Sequence, residues 1–129
     1  MHLHAAVITL LTVLLLSIAM SLVSRARGRY KVAAPAVTGP AGFERTFRAH
    51  QNTLEQAVMF LPALWIASLY GNAQWAAWAG YAWLLMRAWY LQAYVSEGGR
   101  RGTPFTLAML AWVALWIIAA LGIWPALVG

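Results

Sequence analysis

Residues 3–24 read LHAAVITLLTVLLLSIAMSLVS, with no acidic, lysine or arginine side chain in the run. At 1.5 Å of rise per residue, a helix over this stretch is about 33 Å long, enough to cross the roughly 30 Å hydrocarbon core of a bilayer. A cleaved secretory leader fits it poorly. No basic segment precedes the run, and it exceeds the roughly 7–15 apolar residues of a leader. The charges follow it instead, in SRARGRYK at 24–31. The stretch is read as a retained transmembrane helix.

Three further runs extend that reading, at about 47–70, 73–95 and 104–124. The chain of 129 residues is 63% hydrophobic and only 9% charged, too little polar surface to cover a globule in water, where about a quarter of residues are charged. In lipid, backbone groups must be satisfied internally, which leaves helices or closed barrels. The runs are too long and uniformly apolar for barrel strands. The expected fold is therefore all-α: one domain, residues 1–129, forming an integral membrane bundle of four transmembrane helices. With no cysteine in the chain, disulfides, cysteine metal sites and a protein thiol nucleophile are excluded. His2 and His4 lie at a terminus expected to fray, so no metal site is expected.

Charge placement orients the bundle. Arg25, Arg27, Arg29, Lys31, Arg45 and Arg48 surround the first connection, and Arg100 and Arg101 sit in the third. The second connection, YGNAQ at 70–74, has none. The positive-inside rule puts loops one and three in the cytoplasm and both termini outside. This asymmetry accounts for the net charge of +6 without a nucleic-acid partner, and anionic lipid would welcome it. The first connection, RGRYKVAAPAVTGPAGFER at 27–45, reads as a long loop of the kind usually kept for function. A small compact chain of this type is expected in a bacterial inner membrane.

Polar residues inside the spans carry the functional reading. Arg48, Asn52 and Glu55 are spaced i, i+4, i+7 and share one helical face, while His50 and Gln51 point off it. Arg87, Tyr90 and Tyr94 make a matching face on the third span. Both faces lie toward the cytoplasmic ends, within reach of Arg27 and Arg101 from the loops. Ionisable groups in spans pair with each other or face a cavity. A purely structural network explains Glu55 and one arginine. It leaves Arg27, Arg48, Arg87 and Arg101 in large surplus, which is costly in a low-dielectric site without an anion. Arginine suits carboxylates and phosphates, and Glu55 with Asn52 suits an amine and an amide. A zwitterionic, peptide-like ligand fits this set better than a phosphate does.

The stretches FERTFRAHQNTLE (43–55), TGP (38–40) and RAWYLQAY (87–94) resemble the membrane-associated proteins in eicosanoid and glutathione metabolism, the MAPEG family, in its leukotriene C4 synthase and microsomal glutathione transferase branch. With the four-span layout, the resemblance covers nearly the whole chain. It implies a homotrimer with glutathione, as co-substrate, bound between subunits near the cytoplasmic ends. Carried over by position, Arg27, Arg48, His50, Asn52, Glu55, Tyr90 and Tyr94 would bind glutathione. Arg87 would be a structural partner of Glu55 or of a neighbouring helix.

Arg101 stands where the family places an arginine beside the glutathione sulfur, which makes it the expected catalytic residue. The attacking species is the thiolate. Lowering a thiol pKa of about 8.5 by about two units takes roughly 2.7 kcal/mol. A guanidinium about 4 Å away at an effective dielectric near 20 offers roughly 4 kcal/mol before desolvation. The implied function is conjugation of glutathione to an apolar electrophile from the bilayer, with peroxide reduction as a companion activity. Two departures stand out: Gln56 replaces a family tyrosine, and Gly98 and Gly99 in SEGGRRG (96–102) threaten the helix that would carry Arg101, which leaves Arg100 as a rival. Two other functions compete. One is a non-catalytic lipid-binding scaffold of the same family. The other is a small multidrug-type transporter, although its expected carboxylate is missing from span one.

Overall fold

The computed structural model describes residues 2–96 and 99–129. Four helices follow one another: α1, Leu3–Tyr30; α2, Ala41–Tyr70; α3, Ala73–Val95; and α4, Gly102–Val128. The fold is all-α, as expected. Helices α2 and α3 form the centre of the bundle and each packs on every other helix, whereas α1 and α4 do not touch one another among the described residues. By length and composition α1, α2 and α4 are each able to cross a membrane. The tryptophans, tyrosines, glutamines and Arg87 of α3 lower its hydropathy. Several of these turn inward, and Trp83, Arg87 and Tyr90 are buried. Large apolar side chains such as Leu10, Leu121 and Leu127 point out of the bundle, where lipid rather than water is the solvent.

The core is built mainly from alanine with a few large side chains. Phe60 stacks flat on Trp83 with ring centroids 3.7 Å apart, and Ile8, Leu64 and Leu115 close around them. Small residues let the helices approach closely. A Cβ on Gly80 of α3 would lie 2.7 Å from the Ile8 Cδ1 of α1 and 2.9 Å from the Leu64 Cδ1 of α2. Hydroxyls that would be orphaned in lipid bond back to their own helix: Thr12 to the Ile8 carbonyl, Thr53 to Ala49 and Ser68 to Leu64. Pro62 removes the amide that would serve the Val58 carbonyl and loosens that turn. At the next residue, the Trp112 indole of α4 donates to the Met59 carbonyl at 3.0 Å.

The ends of the helices hold the main difference from expectation. The first connection is not the long loop read from its glycines and prolines. Helix α1 continues through the arginines to Tyr30, and α2 begins at Ala41, leaving residues 31–40 between them. The cause is an apolar cluster beyond the lipid-length segments. Val23, Ala26 and Val32 bury against Phe43, with Tyr30 and Phe47 at its edge. Lys31 stops α1 in the left-handed conformation, φ 56°. Pro40 precedes the first turn of α2, where Glu44 complements the positive helix end. As expected, the second connection is a tight turn, Gly71–Asn72, and the Asn72 side chain caps α3 by accepting from the Trp75 amide at 3.0 Å.

Candidate functional site

Near the start of α2 and the end of α3, a cleft of about 150 Å³ opens between the two helices, lined by Arg48, Gln51, Asn52, Glu55, Tyr90 and Tyr94. The i, i+4, i+7 spacing on α2 supplies Arg48, Asn52 and Glu55. Tyr90 and Tyr94, four apart on α3, answer them across the cleft, ring centroids 5.3 Å apart. Five of the residues expected at the site thus meet at one place. Gln51 was expected to point away, yet it lines the cleft too, because a long side chain at the edge of the face still reaches the opening.

Arg87 is not in the cleft; it lies behind it. Its side chain is 1% exposed. Its Nη2 donates to the Asn52 Oδ1 at 2.9 Å and to the Thr53 Oγ1 at 2.8 Å. The guanidinium carbon lies 3.9 Å from the Tyr90 ring centroid, while Nε is buried without a hydrogen-bond partner among the described residues. Of the two partners expected for Arg87, Glu55 or a neighbouring helix, the structure gives the second, an amide and a hydroxyl of α2, together with the aromatic face of Tyr90. Glu55 stays exposed at the mouth of the cleft, free for a solute. The bond to Arg87 also fixes which way the Asn52 amide lies. With Oδ1 turned back to the guanidinium, its NH₂ is left to donate into the cleft. Thr53, which sequence reasoning missed, has a signal only in retrospect: a buried hydroxyl adjacent to Asn52 and on the side facing α3. Phe105, also missed, braces Tyr90 from the first turn of α4 at a centroid distance of 5.9 Å.

Arg101 is the N-cap residue of α4 and not part of α3, which ends at Val95. It still returns to the site, with its guanidinium carbon 4.5 Å from the Tyr94 ring centroid. The expected break at Gly98 lies outside the described residues. Gly99 packs so closely on the end of α3 that a Cβ there would meet the Ala93 carbonyl, and its amide donates to the Ser96 carbonyl at 3.1 Å. Arg100 is exposed. Of the remaining residues, Arg27 donates from Nη1 to the Ala36 carbonyl at 2.7 Å and lies over Phe43, so it organises the first connection and does not enter this chain's cleft. His50 is half-buried and does not line the cleft either.

The cleft therefore presents cationic and amide donors from Arg48 and Asn52, one carboxylate, and two phenols. Such a set is chemically suited to carboxylate and amine groups together. A second concavity, apolar and about 570 Å³, runs between α2 and α4 and begins at Val58, one turn beyond Glu55; Pro62, Ile66, Trp112 and Trp116 are among its walls. Among the described residues no cluster of three metal-ligating side chains forms.

Comparison with known proteins gives the same direction. The profile of the MAPEG family matches residues 5–121. An uncharacterized protein of Synechocystis sp. is 40% identical over 118 residues, covering 92% of this chain and 86% of its own length. Microsomal glutathione S-transferase 2 of Mus musculus is 42% identical over 101 residues, 78% of this chain and 69% of that protein. Leukotriene C4 synthase of Bos taurus is 36% identical over 118 residues, 92% of this chain and 79% of that protein.

Proposed function

The chain belongs to the MAPEG family, and on that premise we propose that it is a membrane-embedded glutathione transferase whose co-substrate is held in the α2–α3 cleft. It is an integral membrane protein of a family with glutathione-conjugating members. The observation that carries the reading is the composition of the cleft. Glutathione has two carboxylates, an amine, two amides and a thiol. Arg48 and the Asn52 amide suit the carboxylates, and Glu55 suits the amine. Tyr90 and Tyr94 offer phenols for the rest.

The cleft of one chain is smaller than the roughly 300 Å³ at which small-molecule pockets begin. One subunit thus supplies part of a site, which supports a homotrimer with glutathione at the subunit boundary. Arg27 and His50 do not line this chain's cleft, so they would reach the ligand from a neighbouring subunit. The basic ends of α1, α2 and α4 would face the cytoplasm of a bacterial cell.

Arg101 would carry the chemistry. Placed over Tyr94 at the rim of the cleft, it stands next to the binding groups, whereas Arg100 has no such seat. The guanidinium would stabilise the thiolate. The sulfur lone pair then attacks the electrophilic carbon of an apolar molecule, a C–S bond forms, and the leaving group departs with its electron pair. The apolar groove between α2 and α4 favours a membrane-dissolved electrophile, and contacts of that kind select weakly among apolar molecules.

The test uses detergent-solubilised protein. Glutathione should raise its melting temperature, and the protein should conjugate glutathione to a chloronitrobenzene electrophile with release of chloride. Binding without conjugation or peroxide reduction would favour a lipid-presenting scaffold. Absence of any glutathione-dependent stabilisation would overturn the reading altogether.

A further inference from the structure

A second polar cavity lies on the opposite side of α2 and takes no part in the proposed reaction. It measures about 290 Å³ and is enclosed by Leu22, Arg25, Ala26, Arg29 and Tyr30 of α1, Gly42 and Thr46 of α2, and Val95 at the end of α3. Three features distinguish it from a merely solvated basic loop. First, it is a concavity with an apolar floor and a cationic rim. Leu22, Ala26 and Val95 form the floor, while Arg25 and Arg29, one helical turn apart on the same face, form the rim. Second, its wall is built. The Tyr30 hydroxyl sits against Gly42, where a Cβ would collide with it. The Arg29 guanidinium lies over the Tyr30 ring, 5.3 Å from its centroid. Third, its position along α1 is defined. The uncharged, lipid-length run of α1 ends at Ser24, so Arg25 and Arg29 directly follow it, and Leu22 lies one turn before Arg25 on the apolar side of the cavity.

None of the described side chains lining the cavity is a carboxylate. Two guanidinium forks and a phenol converge instead, a donor set that suits a phosphate, while the Thr46 hydroxyl beside them donates to the Gly42 carbonyl at 3.0 Å. We propose that this cavity binds the phosphate of an anionic phospholipid from the basic-loop side of the membrane, with the acyl chains leaving over Leu22 along α1. Phosphate is the shared chemistry of a lipid headgroup and of a free solute. The apolar floor favours the lipid, because a dissolved ion has no use for it.

The experiment measures binding and melting of the intact protein in neutral detergent micelles, with phosphatidylglycerol, phosphatidylcholine or inorganic phosphate added. Phosphatidylglycerol should bind saturably and raise the melting temperature; phosphatidylcholine and inorganic phosphate should not. The Arg25→Gln/Arg29→Gln variant should lose at least about tenfold in phosphatidylglycerol affinity. Lys31→Gln, at an exposed residue outside the cavity, should stay within about twofold. Diffuse attraction to an anionic surface, worth a similar amount for each basic residue, predicts comparable losses per charge removed, and that outcome overturns the site. Equal stabilisation by inorganic phosphate overturns the lipid assignment. Should the double variant melt early without lipid, Gly42→Ala provides an independent probe: it displaces Tyr30, keeps both charges, and should weaken phosphatidylglycerol alone. Unchanged lipid affinity in Gly42→Ala also counts against the proposal.

Discussion

Asn52→Asp should move stability and ligand affinity in opposite directions. In the structure the Asn52 carbonyl oxygen accepts from the buried Arg87 at 2.9 Å, and the amide nitrogen is left for the cleft. Aspartate is nearly isosteric. On the Arg87 side it replaces a neutral acceptor with a counter-charge. The Coulomb gain for charges about 4 Å apart at an effective dielectric near 20 is roughly 4 kcal/mol before desolvation. The carboxylate must be partly dehydrated, and the existing amide bond is given up, so a net gain of about 1–2 kcal/mol is expected. That corresponds to about 3–8 °C in melting temperature for a domain of this size. On the cleft side the donor becomes an acceptor and a negative charge faces the ligand's carboxylates. Loss of a charge-assisted hydrogen bond costs about 1.5–3 kcal/mol, or about 10- to 100-fold in glutathione affinity. The eight tryptophans supply a fluorescence signal for both melting and titration in detergent. A variant that melts earlier and binds glutathione as tightly as the parent would falsify the orientation of Asn52 and its place in the ligand site together.

Three other perturbations test separate parts of the structure. Arg101→Ala should leave glutathione bound but shift the appearance of its thiolate absorbance upward by about two pH units, toward the free-thiol value near 8.5; an unmoved titration would remove Arg101 from catalysis. Trp112→Phe takes away the indole donor to the Met59 carbonyl and should cost about 1 kcal/mol, read by thermal melting; no loss would mean that the carbonyl beside Pro62 is satisfied without it. Gly80→Ala forces a methyl toward Ile8 and Leu64 and should cost about 1–3 kcal/mol, whereas a neutral result would show that the α1–α3 contact has room to spare.

The bundle was legible because lipid imposes a simple rule on sequence. Every span must be helical and close to a fixed length, so apolar runs located the helices, and the shared faces on α2 and α3 located the cleft. What escaped notice came from places where that rule does not act. Beyond the lipid-length segment, nothing in RGRYK and AGFER is apolar enough to announce a helix. Phe43 and Val32 make those residues helical by burying against Val23 and Ala26, a long-range contact that local composition does not encode. Likewise, spacing placed Arg87, Tyr90 and Tyr94 on one face but could not rank their depth. Glu55 was the natural partner for Arg87 on charge alone. The packing of α3 on α2 instead put Thr53 and the Asn52 carbonyl within reach and left the carboxylate outside. The return of Arg101 to Tyr94 across a loop was unreadable from helical periodicity, since the two residues lie on different helices.

Three of the four arginines whose surplus motivated a ligand lie on aromatic faces, as does Arg29, while the fourth, Arg48, lines the cleft. Arg27 lies over Phe43, Arg29 over Tyr30, Arg87 over Tyr90 and Arg101 over Tyr94, with guanidinium carbons 3.9–5.3 Å from the ring centroids. Each such contact contributes about 0.5–2 kcal/mol, which fixes the side chain without neutralising it. The geometry explains why this choice matters at a binding site. A carboxylate partner would occupy the edge of the guanidinium, where its N–H groups point. An aromatic ring occupies only the face and leaves the edge donors available. Arg87 uses that freedom internally, on Asn52 and Thr53, and so orients the cleft. Arg101, exposed beside Tyr94, is held by its face in the same way, which suits it to an anion that the cleft would bring. Replacing Tyr94 with leucine should therefore loosen Arg101 without removing its charge. Thiolate stabilisation should weaken, by less than in Arg101→Ala, and Tyr94→Phe, which keeps the ring face, should restore the thiolate titration even if it loses a hydrogen bond to the ligand.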